Sequence, residues 1–122
     1  MTRKQIGEKG EELAREYLLQ EGYKICDVNK TYKDCEIDVV AKKSNTQVFV
    51  EVKTMLESKY GEPEEQLTEK KLKKLILSAQ RYIAEGYLAD YVRIDAMCII
   101  LDRKNSNHPI RITHYKDITS EL

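Results

Sequence analysis

Between residues 36 and 54 the chain twice alternates apolar and polar positions with a period of two. Glu36-Ile37-Asp38-Val39-Val40-Ala41 and Val48-Phe49-Val50-Glu51-Val52-Lys53-Thr54 each read as a strand with one face buried. The polar link from Lys42 to Gln47 reads as a hairpin loop. A hairpin symmetric about Ser44 and Asn45 pairs Asp38 with Glu51 and Glu36 with Lys53. Ile37, Val39, Ala41, Val48, Val50 and Val52 then share one apolar face, and Glu36, Asp38, Glu51 and Lys53 share the other. Directly opposed side chains stand roughly 5 Å apart at Cβ, where like charges are destabilising. Two facing carboxylates beside a lysine ask for a compensating charge. A divalent cation of the Mg²⁺ type, which takes carboxylate oxygens, would supply it. An ordinary cross-strand pair of Glu36 and Lys53 is the plainer alternative.

A helical period takes over on either side. From Lys4 to Gln20, Ile6, Leu13, Ala14, Tyr17 and Leu18 form one stripe, and Gly22 is a natural stop. Glu11 projects about 20° from Leu18, at the edge of the stripe and facing the sheet, whereas Glu8 and Glu12 turn to solvent. Thr68 caps a second helix running to about Ala84, whose buried stripe is Leu72, Leu75, Ile76, Ala79, Tyr82 and Ile83. Lys70, Lys73 and Lys74 fall on its open face, where solvation alone would explain them, while Lys71 borders the stripe and can reach the sheet.

The remaining segments complete an α/β sandwich around a small mixed sheet. Tyr23–Val28 reads as a first strand, followed by a polar link from Asn29 to Cys35. Met55–Gln66, with Gly61 and Pro63, reads as a mobile loop. Tyr91–Leu101 is a strongly apolar strand carrying Arg93 and Asp95, and Ile110–Tyr115 is an edge strand after a turn.

Composition narrows the class without choosing a chemistry. The 122 residues suit one domain spanning 1–122. No apolar run approaches the ~20 residues of a membrane span, and the polar start lacks a signal-peptide core, so a cytoplasmic protein with no membrane partner is expected. Cys26, Cys35 and Cys98 show no metal-ligand or disulfide spacing, and Cys98 reads as core. His108 and His114 read as surface or edge-strand residues. Net charge is zero, which argues against nonspecific coating of nucleic acid. Yet Lys70, Lys71, Lys73, Lys74 and Arg81 follow one another without an intervening acid, so a local basic surface survives the neutral total.

Taken together, Gly7-x-x-Gly10-Glu11-x-x-Ala14-x-x-Tyr17-Leu18, Gly22-Tyr23, Asn29, Glu36-Ile37-Asp38, Phe49-Val50-Glu51-Val52-Lys53-Thr54, Gly61, Thr68-x-x-Lys71, Ala79, Tyr82 and Arg93-x-Asp95 resemble the YraN family. Its members are small bacterial proteins described as predicted endonucleases of the PD-(D/E)xK superfamily, distantly similar to archaeal Holliday-junction resolvases. The resemblance implies a restriction-endonuclease-like α/β core. It implies an Mg²⁺- or Mn²⁺-dependent endonuclease acting on DNA rather than RNA, with branched DNA as a candidate substrate and a homodimer as a possible assembly. Asp38 and Glu51 would be metal-binding acids, Glu11 would complete their site, and Lys53 would be the catalytic lysine. Lys71, flanked by Lys70 and Lys74, would contact phosphate. Two departures stand out: Cys35 occupies a usual glycine position, and Met55 stands where arginine commonly follows Val-Lys-Thr. They leave room for an alternative, a nucleic-acid-binding module that keeps the nuclease fold without efficient turnover.

Overall fold

β-branched residues crowd the centre of the chain. In the computed structural model, which describes residues 1–33, 35–86 and 89–119, they form one mixed five-stranded sheet. Asp34, in the link expected after the first strand, lies outside the described residues. The elements are α1 (Arg3–Gln20), β1 (Lys24–Tyr32), β2 (Cys35–Lys43), β3 (Thr46–Leu56), a 3₁₀ turn (Pro63–Gln66), α2 (Glu69–Ala84), β4 (Tyr91–Leu101) and β5 (Pro109–Tyr115). Spatial order follows chain order, and only β3 and β4 run parallel. α2 supplies the crossover that a parallel pair requires. Among the described residues no helix is long and apolar enough to cross a membrane.

The helices cover opposite faces, so the fold is an α/β sandwich consistent with a restriction-endonuclease-like core. Under α1, Ala14 and Leu18 pack with Val39, Ala41, Val48, Val50, Val52, Met97, Ile99 and Leu101. Under α2, Leu75, Ala79 and Tyr82 pack with Ile37, Val40, Phe49 and Ile94. The second face is therefore as buried as the first over much of its area. Ile37 was expected beside Val39 and instead lies under α2. The alternation of β2 breaks between Ile37 and Val39, whose β1 partners Lys30 and Val28 flank Asn29 with its left-handed φ of 49°.

Helix ends follow capping chemistry. Thr2 and Gln5 form a reciprocal capping box at the start of α1, and Thr68 Oγ1 accepts from the Lys71 N–H at the start of α2. Gly22, at φ 88°, stops α1. Gly10 has a different task, because a Cβ there would sit 1.7 Å from Thr54 Oγ1. That missing methyl lets α1 lie directly on β3, and this approach carries Glu11 to the sheet.

The segment expected to be a mobile loop is partly ordered. Met55 and Leu56 extend β3, and Pro63 is buried at the start of the 3₁₀ turn. Arg111 Nη2 donates to both Glu64 oxygens at 2.7 Å, and the Tyr115 hydroxyl donates to Glu64 Oε2 at 2.6 Å, pinning the turn to β5. His114 lies on the edge strand β5, as expected, but its side chain turns inward and is only 3% exposed. Its Nε2 lies 2.7 Å from Asp95 Oδ2, while Arg93 Nε and Nη2 donate to Asp95 at 2.8 and 2.9 Å. Arg93 Nη2 also donates to the Tyr23 hydroxyl at 2.7 Å. Burial opposes a charge on Asp95, but His114, Arg93 and the Asp117 N–H hold its carboxyl below the usual range.

Gly10→Ala provides a test of the α1 contact. On helix propensity alone the change would stabilise by about 1 kcal/mol. The Thr54 contact reverses the sign, and a loss of about 1–3 kcal/mol, typical of overpacking, is expected in thermal unfolding. An unchanged or raised midpoint would remove the close-approach argument.

Candidate active site

β2 and β3 leave their hairpin in the expected register but do not stay together. Among the described residues the pairing runs from Lys43–Thr46 to Val39–Val50 and stops there. β3 continues along β4 as far as Leu56–Leu101, so its other edge opens beyond Val50. Asp38 closes part of this gap. Its Oδ2 accepts from the Val52 N–H at 2.8 Å, taking the place of a lost ladder bond. The expected pairing of Asp38 with Glu51 is therefore not part of the ladder, which ends one residue short of it.

The gap gathers charged side chains from four elements. Glu36 and Asp38 come from β2, Glu51 and Lys53 from β3, Glu11 from α1 and Lys71 from α2. Carboxylate oxygens of Glu11, Glu36 and Asp38 all lie within 4.8 Å of one another. Glu51 stands beside this group with Oε1 3.1 Å from Lys53 Nζ, and both side chains are less than one-fifth exposed. The expected pairing of Glu36 with Lys53 is thus replaced by Glu51 with Lys53. Glu36 turns to the α1 side because the chain breaks alternation at Asn29 and Asp38.

Asn29 is the residue whose role the sequence did not give. With its amide oriented to satisfy both ends, the nitrogen donates to Glu11 Oε1 at 2.8 Å and Glu36 Oε1 at 3.0 Å. An asparagine before a G-E-I-D-like strand was visible, but its left-handed backbone and its aim between two acids depend on the β1–β2 pairing.

The electrostatics are those of crowded negative charge. Burial pushes the Asp38 carboxyl up to about 8, with Glu51 and Glu11 adding to the rise and the Val52 N–H and Lys53 opposing it. Burial also raises the Glu11 carboxyl, followed by repulsion from Glu36, against the pull of Arg15 and Asn29. Burial disfavours the Lys53 ammonium, yet Glu51 and Asp38 outweigh it and Lys53 holds its proton more tightly than usual. Lys71 moves the other way, first through its contact with Lys53 and then through burial and Lys53's charge.

The remaining sequence candidates divide. Lys74 lines the same cleft of about 290 Å³ with Lys71, whereas Lys70 is exposed on α2 and does not line it. Glu8 and Glu12 face solvent as expected. Cys35 also lines the cleft and is not among the residues with positive φ, so its replacement of glycine demands no left-handed backbone. Met55 borders a neighbouring cleft that Arg3 and Arg103 also line, so positive charge remains close to its position.

The sequence profile described as "Uncharacterised protein family UPF0102" matches residues 10–99. A UPF0102 protein of Christiangramia forsetii is 35% identical over 113 residues, covering 93% of this chain and 92% of its own. One from Clostridium botulinum strain Loch Maree is 39% identical over 111 residues, covering 89% and 90%. One from Flavobacterium psychrophilum is 32% identical over 112 residues, covering 92% and 91%.

The raised Asp38 carboxyl sets a pH dependence for metal-free protein in chelator. Between the ordinary aspartate value of about 3.9 and about 8, the folded state holds a proton that the unfolded state releases. Stability therefore falls as pH rises through that window. Asp38→Asn stays neutral and can still accept from Val52. Its melting temperature relative to wild type should climb by several degrees between about pH 5 and about pH 8. A pH-independent offset would show that Asp38 titrates normally.

Proposed function

The chain belongs to the uncharacterised protein family UPF0102, the YraN-like group, and we propose that it is a metal-dependent endonuclease hydrolysing phosphodiester bonds in DNA. The observation that carries this reading is the opening between β2 and β3, where four carboxylates and a lysine ammonium meet. Such crowding costs stability unless positive charge relieves it, and Lys53 is the cation paired directly with one of the four acids.

The donors fit a hard cation. Glu11, Glu36 and Asp38 offer only carboxylate oxygens, and their mutual spacing within 4.8 Å is the scale at which oxygens surround one small divalent ion. Asp38 and Glu11 would hold Mg²⁺ or Mn²⁺, with Glu36 from the β2 side and Glu51 from the β3 side as further ligands. Such an ion, when bound, supplies a more acidic water and a positive charge for the phosphate.

This chain's own residues do the rest. Glu51 keeps Lys53 protonated, so Lys53 acts as a fixed ammonium beside the negative charge that grows on the phosphoryl oxygens. It is a poor proton acceptor for the same reason. In the reaction a water oxygen bonds to phosphorus as one P–O ester bond breaks, leaving a hydroxyl and a phosphate monoester. Asn29 fixes the orientation of Glu11 and Glu36 through its two donated bonds. Lys71 and Lys74 at the cleft, with Lys70 next along α2, would contact the phosphate backbone. Their local grouping offsets the neutral net charge of the chain.

End-labelled linear and branched DNA incubated with the protein and Mg²⁺ or Mn²⁺ should be cut. Asp38→Ala and Lys53→Ala should each slow cutting by ~10²-fold or more while leaving DNA binding. Lys70→Ala and Lys74→Ala should weaken binding and reduce its salt slope by about one each. DNA that binds but is never cut with either metal would favour the module that keeps the fold without turnover.

A further inference from the structure

A second cavity, of about 530 Å³, adjoins the carboxylate cleft. Tyr32 at the end of β1 lines it, facing Lys74, Leu77, Ser78, Arg81 and Ala84, which follow one another along one side of α2. Lys74 also lines the carboxylate cleft, so the two spaces share a wall. The volume falls within the ~300–1,000 Å³ of ordinary small-molecule sites.

The chemistry of the lining is specific. The Tyr32 hydroxyl donates to Glu85 Oε1 at 2.7 Å, which fixes the ring. The Arg81 guanidinium lies 5.7 Å from the ring centroid and Lys30 Nζ 6.0 Å from it. Leu77 is 61% exposed, an apolar side chain held in water. Lys74 and Arg81 are seven positions apart on α2, or about 10 Å along the axis. A held aromatic ring and an apolar side chain between spaced cations form a platform for a flat base, with the cations placed for the phosphates on either side. A base stacked within a duplex cannot enter such a cavity, whereas an unpaired one can.

We infer that this cavity receives an unpaired nucleobase next to the phosphate held at the carboxylate cleft. The substrate class is then DNA carrying an unpaired nucleotide beside the cut, as at a gap, flap or branch point. This inference deepens the nuclease reading and rests on it for the identity of the neighbouring cleft. Charge complementarity selects the occupant, since the charged residues lining the cavity, Lys74 and Arg81, are both cationic and favour a polyanion over a neutral ligand.

The test separates the cavity from the chemistry. Fluorescein-labelled duplexes, fully paired or carrying one unpaired 2-aminopurine, are titrated by anisotropy with Ca²⁺ in place of Mg²⁺. The wild type should prefer the unpaired DNA by roughly tenfold, the scale of one stacked base, and should quench the 2-aminopurine on binding. Tyr32→Leu and Leu77→Ser, neither of which changes charge, should abolish the preference and the quenching while leaving paired-duplex affinity unchanged, and Tyr32→Phe should retain both. Leu77 is exposed, so its substitution leaves the core intact even where Tyr32→Leu fails to fold. Equal affinity for the two DNAs in wild type, no binding to either, or an unaltered preference in Leu77→Ser overturns the inference. Cutting of the same DNAs in Mg²⁺ is scored separately. Preference and quenching without cutting support the cavity and remove the nuclease reading. Cutting without preference does the reverse.

Discussion

One hydrogen bond organises the centre of this molecule: the Val52 N–H donating to the Asp38 carboxylate. A strand edge that leaves its neighbour must satisfy its amides in another way, and here a side chain does so. The bond lets β2 and β3 diverge after Val39 and Val50 without a buried orphan at Val52. The divergence creates a cleft in the sheet itself, bounded by main chain on two sides. Asp38 is thereby both a structural acceptor and the acid most affected by the cleft's negative charge.

The rest of the fold holds that opening in place. β4 pairs with β3 over its full length, so the open edge of β3 is not free to wander. α1 comes down on β3 because Gly10 has no side chain to strike Thr54, and the next residue, Glu11, is delivered to the carboxylate group. Tyr23, just before β1, joins Arg93, Asp95 and His114 of β4 and β5, and His114 packs edge-on against Tyr17 of α1. On the other side α2 packs Leu75, Ala79 and Tyr82 against the sheet, which leaves Lys71 and Lys74 at the cleft mouth and Arg81 further along. Carboxylates from α1, β2 and β3 thus share the cleft with Lys53 of β3 and with Lys71 and Lys74 of α2.

Much of this was legible in residue order. Period-two and period-3.6 patterns gave the strands, the two helices and the α/β class, and the symmetric link around Ser44 and Asn45 gave the β2–β3 register. The helical wheel singled out Glu11 from Glu8 and Glu12, because 700° of rotation brings it back beside Leu18. Cys98 was readable as core and Thr68 as a cap. These properties are local, set by side-chain spacing and by backbone hydrogen-bonding needs within a few residues.

What tertiary structure decided was everything that depends on two distant segments meeting. Asn29 takes its left-handed turn between the ladder pairs Val28–Val39 and Lys30–Ile37, where Ile37 goes under α2 and Glu36 joins Glu11. The choice of Glu51 over Glu36 as Lys53's partner, the burial of His114 and the pinning of Glu64 to β5 follow from packing between segments tens of residues apart. Periodicity reports which face a residue shows if its strand is regular. It carries no information on where two strands part, because parting is set by the balance between ladder bonds and the contacts each strand makes with different neighbours. The sequence by itself therefore determined which chemical groups this protein carries and on which elements, and the folded sheet determined which of their oxygens share one space.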